Sequence, residues 1–402
     1  MSDTGSGGGR PPRLIHITTT DMSLDWLLRP QLEAFAAAGY EVIGASATGS
    51  HVAALVDSGI RHEPIHSFTR ASNPLRDLAA IPELVRLFRR LRPDIVHTHN
   101  PKPGVLGRII ARLCRVPLVV NTQHGLYAQP DDRWQRRLPV YAVERLAAAF
   151  SHVELVQNPE DVDTLVRRLH VPERRVRLLG NGIDLARFDP ATIPPSRRAE
   201  VRREWGLDDG DVVIGVVGRL VAEKGVAELI EAAAHLRTAD PTARMVIIGP
   251  HEHDKADAVA EHLIRQGEQA GVVFAGRRDD MPDCYAAMDL FATATWREGF
   301  PRAAMEASAM GLAVVATDVR GCRQVVDPGV TGRLVPVRNP RALADALTGL
   351  VEDVALRTSM GAAARDRARL EFDQQRVIER TLDAYRSAPG GQRSTEDRQA
   401  GR

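Results

Sequence analysis

Residues 211–236 read DVVIGVVGRLVAEKGVAELIEAAAHL, and the change of texture inside them decides the fold. DVVIGVV is a short apolar run rich in β-branched residues, the kind buried on both faces of a parallel sheet. VAELIEAAAHL repeats its apolar residues at helical spacing. Between them, GRLVAEKG supplies Gly218 and Gly225, where a backbone can approach a ligand closely, and two cations, Arg219 and Lys224. Strand, glycine-bearing turn and helix form the start of a βαβ unit, and open α/β sheets hold ligands at the carboxyl ends of their strands. Taken alone, the turn has two readings: a plain connection with solvated charges, or a cradle for phosphate. The composition sharpens the choice, because among 53 basic residues only Lys102, Lys224 and Lys255 are lysine. An ammonium is a compact point charge, whereas a guanidinium is a broad planar fork. A lysine that persists against such a bias asks for a chemical reason.

The same texture extends in both directions. Upstream, RLIHITTT, YEVIGASA, DIVHTHN, PLVVNTQHG, HVELVQN and VRLLGNGID read as strands, with helical stretches such as Trp26 to Ala38, Gly104 to Cys114 and Val140 to Phe150 between them. Downstream, ARMVIIGP, VVFAGRR, DLFATAT, LAVVATDV and GRLVPV continue the pattern. Strands alternating with helices predict an α/β protein with mostly parallel sheets. The Pro-rich, polar stretch 186–210 separates the two series and reads as a linker. The expected organisation is a flexible lead over 1–12, a first domain over 13–185, the linker, a second domain over 211–373, a helix over 374–388 packing back on the first domain, and a flexible tail over 389–402. A chain of 402 residues suits two domains of ordinary size.

Formal net charge is +1, which argues against nucleic acid as a partner. Cys114, Cys284 and Cys322 are far apart and form no CxxC, as expected of free thiols in a reducing, cytoplasmic setting. The opening MSDTGSGGGRPPR has no apolar signal region, and no window reaches the roughly 18 apolar residues of a membrane span.

A second motif, WREGFPRAAMEASAMG at 296–311, places Glu298 in a Gly/Pro turn after a strand and Glu306 about two turns into the next helix. Both carboxylates can face one site. Glu306 shares its stripe with Ala303, Ala307 and Met310, where a carboxylate is costly to bury without a partner such as sugar hydroxyls.

These residues, with IGP at 248–250, LAVVATDVRGCRQVV at 312–326 and NGID at 181–184 followed by Phe188, resemble the family 4 glycosyltransferases. The resemblance runs in order along nearly the whole chain, and is strongest to the bacterial branch that builds capsule, lipopolysaccharide and exopolysaccharide. It implies a GT-B fold, two Rossmann-like domains facing across a cleft. It also implies a retaining, metal-independent enzyme that moves a sugar from a nucleotide-sugar co-substrate, most plausibly a UDP-sugar, to a saccharide or polyprenyl-linked acceptor. No other cofactor is implied. By this resemblance Arg219 and Lys224 hold the diphosphate, Glu298 contacts the donor sugar, Glu306 accepts from the ribose, and Gly218, Gly249, Gly299 and Phe300 bring backbone to the donor.

The same resemblance sets His124, in NTQHG, beside the donor sugar, while its bland reading is an ordinary loop histidine. HTHNPKPG also lies at a strand end, where alternation puts His97 and His99 on one face; His99 and Lys102 are the acceptor-side candidates, with His97 as packing. Ser23 stands in for a Gly-Gly loop that TTTDMSLDWLLRP lacks. HEHD at 251–254 fits no zinc spacing and reads as structural.

Basic residues crowd the region from Arg86 to Arg115, beside an apolar helix face of Leu78, Ile81, Leu84, Val85 and Phe88, and again around Trp134, Arg136, Arg137 and Tyr141. Two readings stay open: core-facing helices with solvated arginines, or a peripheral contact with anionic membrane at the inner face. For the whole chain the alternatives are a glycosyltransferase of small-molecule acceptors and a catalytically silent sugar-nucleotide binder.

Overall fold

The computed structural model describes residues 10–69, 74–99, 101–130, 132–251 and 257–388, the side chains of 74–76 excepted. It forms two compact units, Met1–Gly180 with Arg376–Arg402, and Asn181–Gln375. The tail 389–402 and most of the expected lead lie outside the described residues. Arg10, at the end of that lead, pairs with Asp94 at 2.9 Å.

The first unit is built on β1 (Arg13–Thr20), β2 (Glu41–Ala47), β3 (Arg61–Pro64), β4 (Ile95–His99), β5 (Leu118–Gln123), β6 (Val153–Val156) and β7 (Val176–Leu178). They lie in the order β3-β2-β1-β4-β5-β6-β7, all parallel. The second carries β8 (Val212–Val217), β9 (Ala243–Ile248), β10 (Val273–Gly276), β11 (Leu290–Thr293), β12 (Ala313–Thr317) and β13 (Gly332–Val335). Their order is β10-β9-β8-β11-β12-β13, again parallel. Each segment read as a strand contains one of these, and only β3 lacks a signature. In both sheets the strand order reverses once, between β1 and β4 and between β8 and β11. Such switch points open a crevice beyond the carboxyl ends of the strands, which fixes where each unit is built to hold a ligand.

The expected linker is a correction. The units divide at Gly180/Asn181, and 186–210 belongs to the second, where Phe188, Val201, Trp205 and Leu207 enter its core. The helix Pro195–Glu204 is fastened through Asp289, which accepts from Val213 N–H at 2.8 Å and from Arg198 and Arg202, both at 2.6 Å. Burial would raise the Asp289 carboxyl, but the Val213 N–H and the two guanidinium groups outweigh it and hold it below its usual range. Polar, arginine-rich composition conceals a docked helix here.

The helix Gln374–Ser387 leaves the second unit and, from Arg376 on, packs in the first, with Val377, Ile378 and Tyr385 buried among Leu14, Phe35 and Leu118. The apolar face expected beside the arginines also faces inward. Leu84 and Phe88, on the helix Pro74–Leu91, lie in the core with Ile81 and Val85 packed against it, leaving Leu78 exposed. Arg108 leaves the basic surface altogether. It is 1% exposed and bonds Glu154 at 2.7 Å and Glu144 at 2.6 Å.

Candidate active site

In the second unit, the two motif loops leave β8 and β11, the strands flanking the switch point. The turn at Ala222–Lys224 and the loop after β11 are tied together by backbone: Trp296 N–H donates to Glu223 O at 2.8 Å, and the Thr295 hydroxyl lies 3.3 Å from the same oxygen. Thr317 on β12 donates to Thr295 O at 2.6 Å, and Gly321 N–H to Glu298 O at 3.2 Å. The TDVRGCR segment thus backs the glutamate turn. The result is an ion pair, Lys224 Nζ to Glu298 Oε2 at 2.5 Å, with both side chains about three-quarters covered. Arg219 lies in the same turn, 3.6 Å from Glu223.

The glycines that follow β8 and β9 play different parts. Gly249 has φ +156°, and a Cβ there would fall 1.9 Å from Gly218 O, so the close approach of the two loops requires glycine. At Gly218 a Cβ would meet nothing nearer than Lys224 Cγ at 3.9 Å. The fold therefore leaves room over Gly218, along the lysine stem.

Glu306, on the helix Arg302–Ala309, accepts from the Tyr285 hydroxyl at 2.9 Å and from Arg302 Nε at 3.1 Å. Burial pushes its carboxyl up, while Arg302, Tyr285 and the charge of Arg187 pull the other way. The E-x7-E pair thus divides: Glu298 binds Lys224, and Glu306 binds Arg302 and Tyr285. Arg187 is set by the NGID turn, where Asp184 Oδ1 accepts from Ala186 N–H at 3.0 Å and Arg187 N–H at 3.1 Å. Phe300 packs edge-on to Phe372, its ring 6.1 Å away, beside Gly299.

In the first unit, the strands flanking the switch point bring histidines together. His16 of β1, His97 and His99 of β4, and His124 just past β5 stand side by side. His16 Nδ1 lies 2.9 Å from His99 Nε2, and His99 Nδ1 lies 3.0 Å from His124 Nε2. His97 bonds the Tyr385 hydroxyl at 2.6 Å and Thr122 Oγ1 at 2.7 Å, and that tyrosine also reaches His16 Nε2 at 3.3 Å. Burial drives His16 down to about 3 and His124 to about 4, the latter despite a hydrogen bond with Gln157 that pulls the other way, and holds His97 and His99 well below the usual range. All four are neutral at pH 7. His16, His97 and His99 are close enough to share an ion, yet each of their six ring nitrogens already has a hydrogen-bond partner.

Two matches cover most of the chain: "Glycosyltransferase Family 4" over residues 31–187 and "Glycosyl transferases group 1" over 197–367. A D-inositol 3-phosphate glycosyltransferase of Salinispora arenicola is 33% identical over 313 residues, 73% of this chain and 69% of that protein. The chain belongs to glycosyltransferase family 4. The UDP-Gal:alpha-D-GlcNAc-diphosphoundecaprenol alpha-1,3-galactosyltransferase of Escherichia coli is 27% identical over 82% of this chain and 84% of its own. Among solved structures, the Anabaena protein HepE in complex with UDP and glucose superposes with a TM-score of 0.79 at 21% identity, covering 94% of this chain and 100% of that one. The fold is GT-B.

His99, expected on the acceptor side, is 1% exposed and touches His16 and His124 instead, so it supports rather than binds. Lys102 is paired with Asp77 at 2.8 Å. Ser23 Oγ lies 3.2 Å from Thr20 Oγ1, in a turn that also carries the buried carboxylates Asp21 and Asp25. Asp25 is in turn paired with Arg29 and with His51 Nδ1 at 2.9 Å, and Asp21 accepts from His51 N–H at 2.8 Å. Of HEHD, Glu252, His253 and Asp254 lie outside the described residues, and His251 bonds Val259 O at 2.7 Å. Tyr285, Arg187, His16 and Tyr385 escaped the sequence reading. His16 alone left a trace there, a polar residue inside the apolar run of β1.

Proposed function

We propose that this glycosyltransferase draws its sugar from a UDP-sugar, retains the anomeric configuration without a metal ion, and extends a saccharide carried on a polyprenyl diphosphate. The observation that carries the donor half is the Lys224–Glu298 pair at the β8/β11 switch point, beside Arg219 and the open space over Gly218. A diphosphate lying over Gly218 takes Lys224 from Glu298 and adds Arg219, and two cations offset the charge that develops on the leaving group. Glu298, released, accepts from hydroxyls of the donor sugar, while Glu306 accepts from the ribose. The bond from the anomeric carbon to the diphosphate oxygen breaks with its electron pair going to UDP. The acceptor oxygen bonds to the same face of that carbon, and its proton passes to the departing phosphate. His124 hydrogen-bonds the transferred sugar. The UDP-bearing HepE structure and the name of the Escherichia coli relative support this donor and acceptor class.

The test is a transfer assay in EDTA with UDP-sugars and a polyprenyl-diphosphate saccharide, the product linkage read by proton NMR. An α-linked product from an α-linked donor is expected. An inverted linkage would refute retention, and loss of turnover in EDTA would refute metal independence. The Salinispora relative favours a second reading for the acceptor, a small phosphate-bearing polyol, and the same assay with inositol phosphate separates the two.

The acceptor class also places the enzyme at the inner face of the cytoplasmic membrane. Among the described residues no helix is long and apolar enough to cross a membrane. The helix Trp134–Ala148, however, exposes Trp134, Leu138 and Leu146 next to Arg136 and Arg145. Arg86, Arg89, Arg92, Arg112 and Arg115 are also exposed. Apolar side chains among arginines suit an anionic bilayer surface. Flotation with anionic vesicles should carry the protein upward at low salt and fail for Trp134→Ala/Leu138→Ala. Wild-type protein that stays at the bottom at low salt removes the membrane contact.

A further inference from the structure

The histidines of the first unit are joined end to end: Thr122, His97, the Tyr385 hydroxyl, His16, His99 and His124, in that order. A neutral imidazole has one N–H and one lone pair, and a phenol has one proton to give. Each link therefore needs one donor facing one acceptor, so the choice at one ring dictates the next. Two arrangements satisfy every link, one with all four protons on Nδ1 and one with all four on Nε2. Any mixture opposes two lone pairs or two N–H groups, or leaves the tyrosine proton without an acceptor in a dry interior, where an unmet polar group is costly. The distances choose between the two. Tyr385 lies 2.6 Å from His97 and 3.3 Å from His16, as expected if its O–H donates to His97 and accepts the longer N–H of His16. The His16 and His99 ring planes are 19° apart, which keeps their shared hydrogen bond near both planes.

We propose that these residues form one hydrogen-bonded wire in which all four histidines carry their proton on Nε2, leaving Nδ1 of His124, the ring nitrogen that remains for Gln157, unprotonated. His16, His97, His99 and Tyr385 are then positioning residues. They set the tautomer of His124 from the interior, as a partner on one ring nitrogen does for the other. The helix Gln374–Ser387, by supplying Tyr385, completes a network that otherwise runs from the middle of β1 and β4 to the carboxyl ends of β4 and β5. The consequence for catalysis rests on the reading of His124 as a contact of the transferred sugar, whereas the wire itself does not.

The experiment is nitrogen NMR of the full chain labelled with 15N-histidine, without donor, near pH 7, the rings assigned through single His→Asn variants. Nε2–H at His16, His97, His99 and His124 together is expected. Mixed tautomers, Nδ1–H throughout, or an imidazolium among them would overturn the proposal. Tyr385→Phe keeps the ring and deletes the hydroxyl joining His97 to His16. It is expected to free His97 to populate both tautomers and to lower kcat roughly tenfold, about one hydrogen bond's worth, with donor affinity unchanged. An unaltered His97 spectrum would overturn the coupling. The two readings fail separately: a uniform wire in a protein whose His124→Ala variant transfers sugar normally removes the sugar contact and leaves the wire, and mixed tautomers with His124 needed for transfer do the reverse.

Discussion

Lys224→Arg is expected to lose roughly 10²- to 10³-fold in turnover, the usual effect of losing one well-placed donor to the transition state. The substitution keeps the charge, so the loss must come from shape. Nζ sits 2.5 Å from Glu298 Oε2 in a turn held by the Trp296–Glu223 backbone bond, and its stem is the nearest neighbour that a side chain at Gly218 would meet. A guanidinium is longer and planar, and its fork would hold the Glu298 carboxylate with two bonds in place of one. It would then compete with the diphosphate instead of yielding to it, and fill the space that the fold leaves over Gly218. Stability should hardly change, because a partly exposed pair contributes only about 0–1 kcal/mol. Turnover near wild type at saturating donor would show that the lysine has no such role.

Arg108→Ala should destabilise the first unit by about 3–5 kcal/mol at neutral pH, the cost of stripping the partner from a buried charge. Glu154 is fully buried, with Arg108 at 2.7 Å and Asn121 Nδ2 at 2.8 Å as its partners. Burial raises its carboxyl and Arg108 opposes that, so removing the guanidinium raises it further. A carboxyl raised in the folded state favours folding only while it is protonated. The deficit of the variant is therefore smallest below the unfolded value, about 4.3, and grows as pH rises toward neutrality. Urea melts at pH 4 and pH 7 test this. A variant within about 1 kcal/mol of wild type at pH 7 would mean that Glu154 finds another partner or stays neutral at little cost.

What could be read from the chain, and what could not, follows the range of the interactions. GRLVAEKG, the glutamate turn and most strands are local features, carried by apolar runs and glycines within a few residues, and they appear where expected. β3 did not, because RHEP is an edge strand with polar side chains and no run of its own. The stretch 186–210 resembled a linker because its polarity was visible and its partner was not: Asp289, which fastens Arg198 and Arg202, lies some 90 residues downstream. The wire shows the same limit. Alternation along β4 puts His97 and His99 on one face, but the tyrosine that joins them to His16 comes 288 residues after His97. Glu306 was legible as a carboxylate on an apolar stripe, while its Tyr285 partner, on a separate helix, was not.

The central claim is that the second unit holds the diphosphate of a nucleotide sugar on Arg219 and Lys224 and its ribose on Glu306. The most direct measurement is isothermal titration, in EDTA, of UDP, GDP, ADP and several UDP-sugars into the wild type, Lys224→Ala and Glu306→Ala proteins. Selective binding of UDP and one or more UDP-sugars by the wild type is expected, weakened severely in both variants. Binding that survives both substitutions, or a wild-type protein that takes none of these nucleotides, would contradict it.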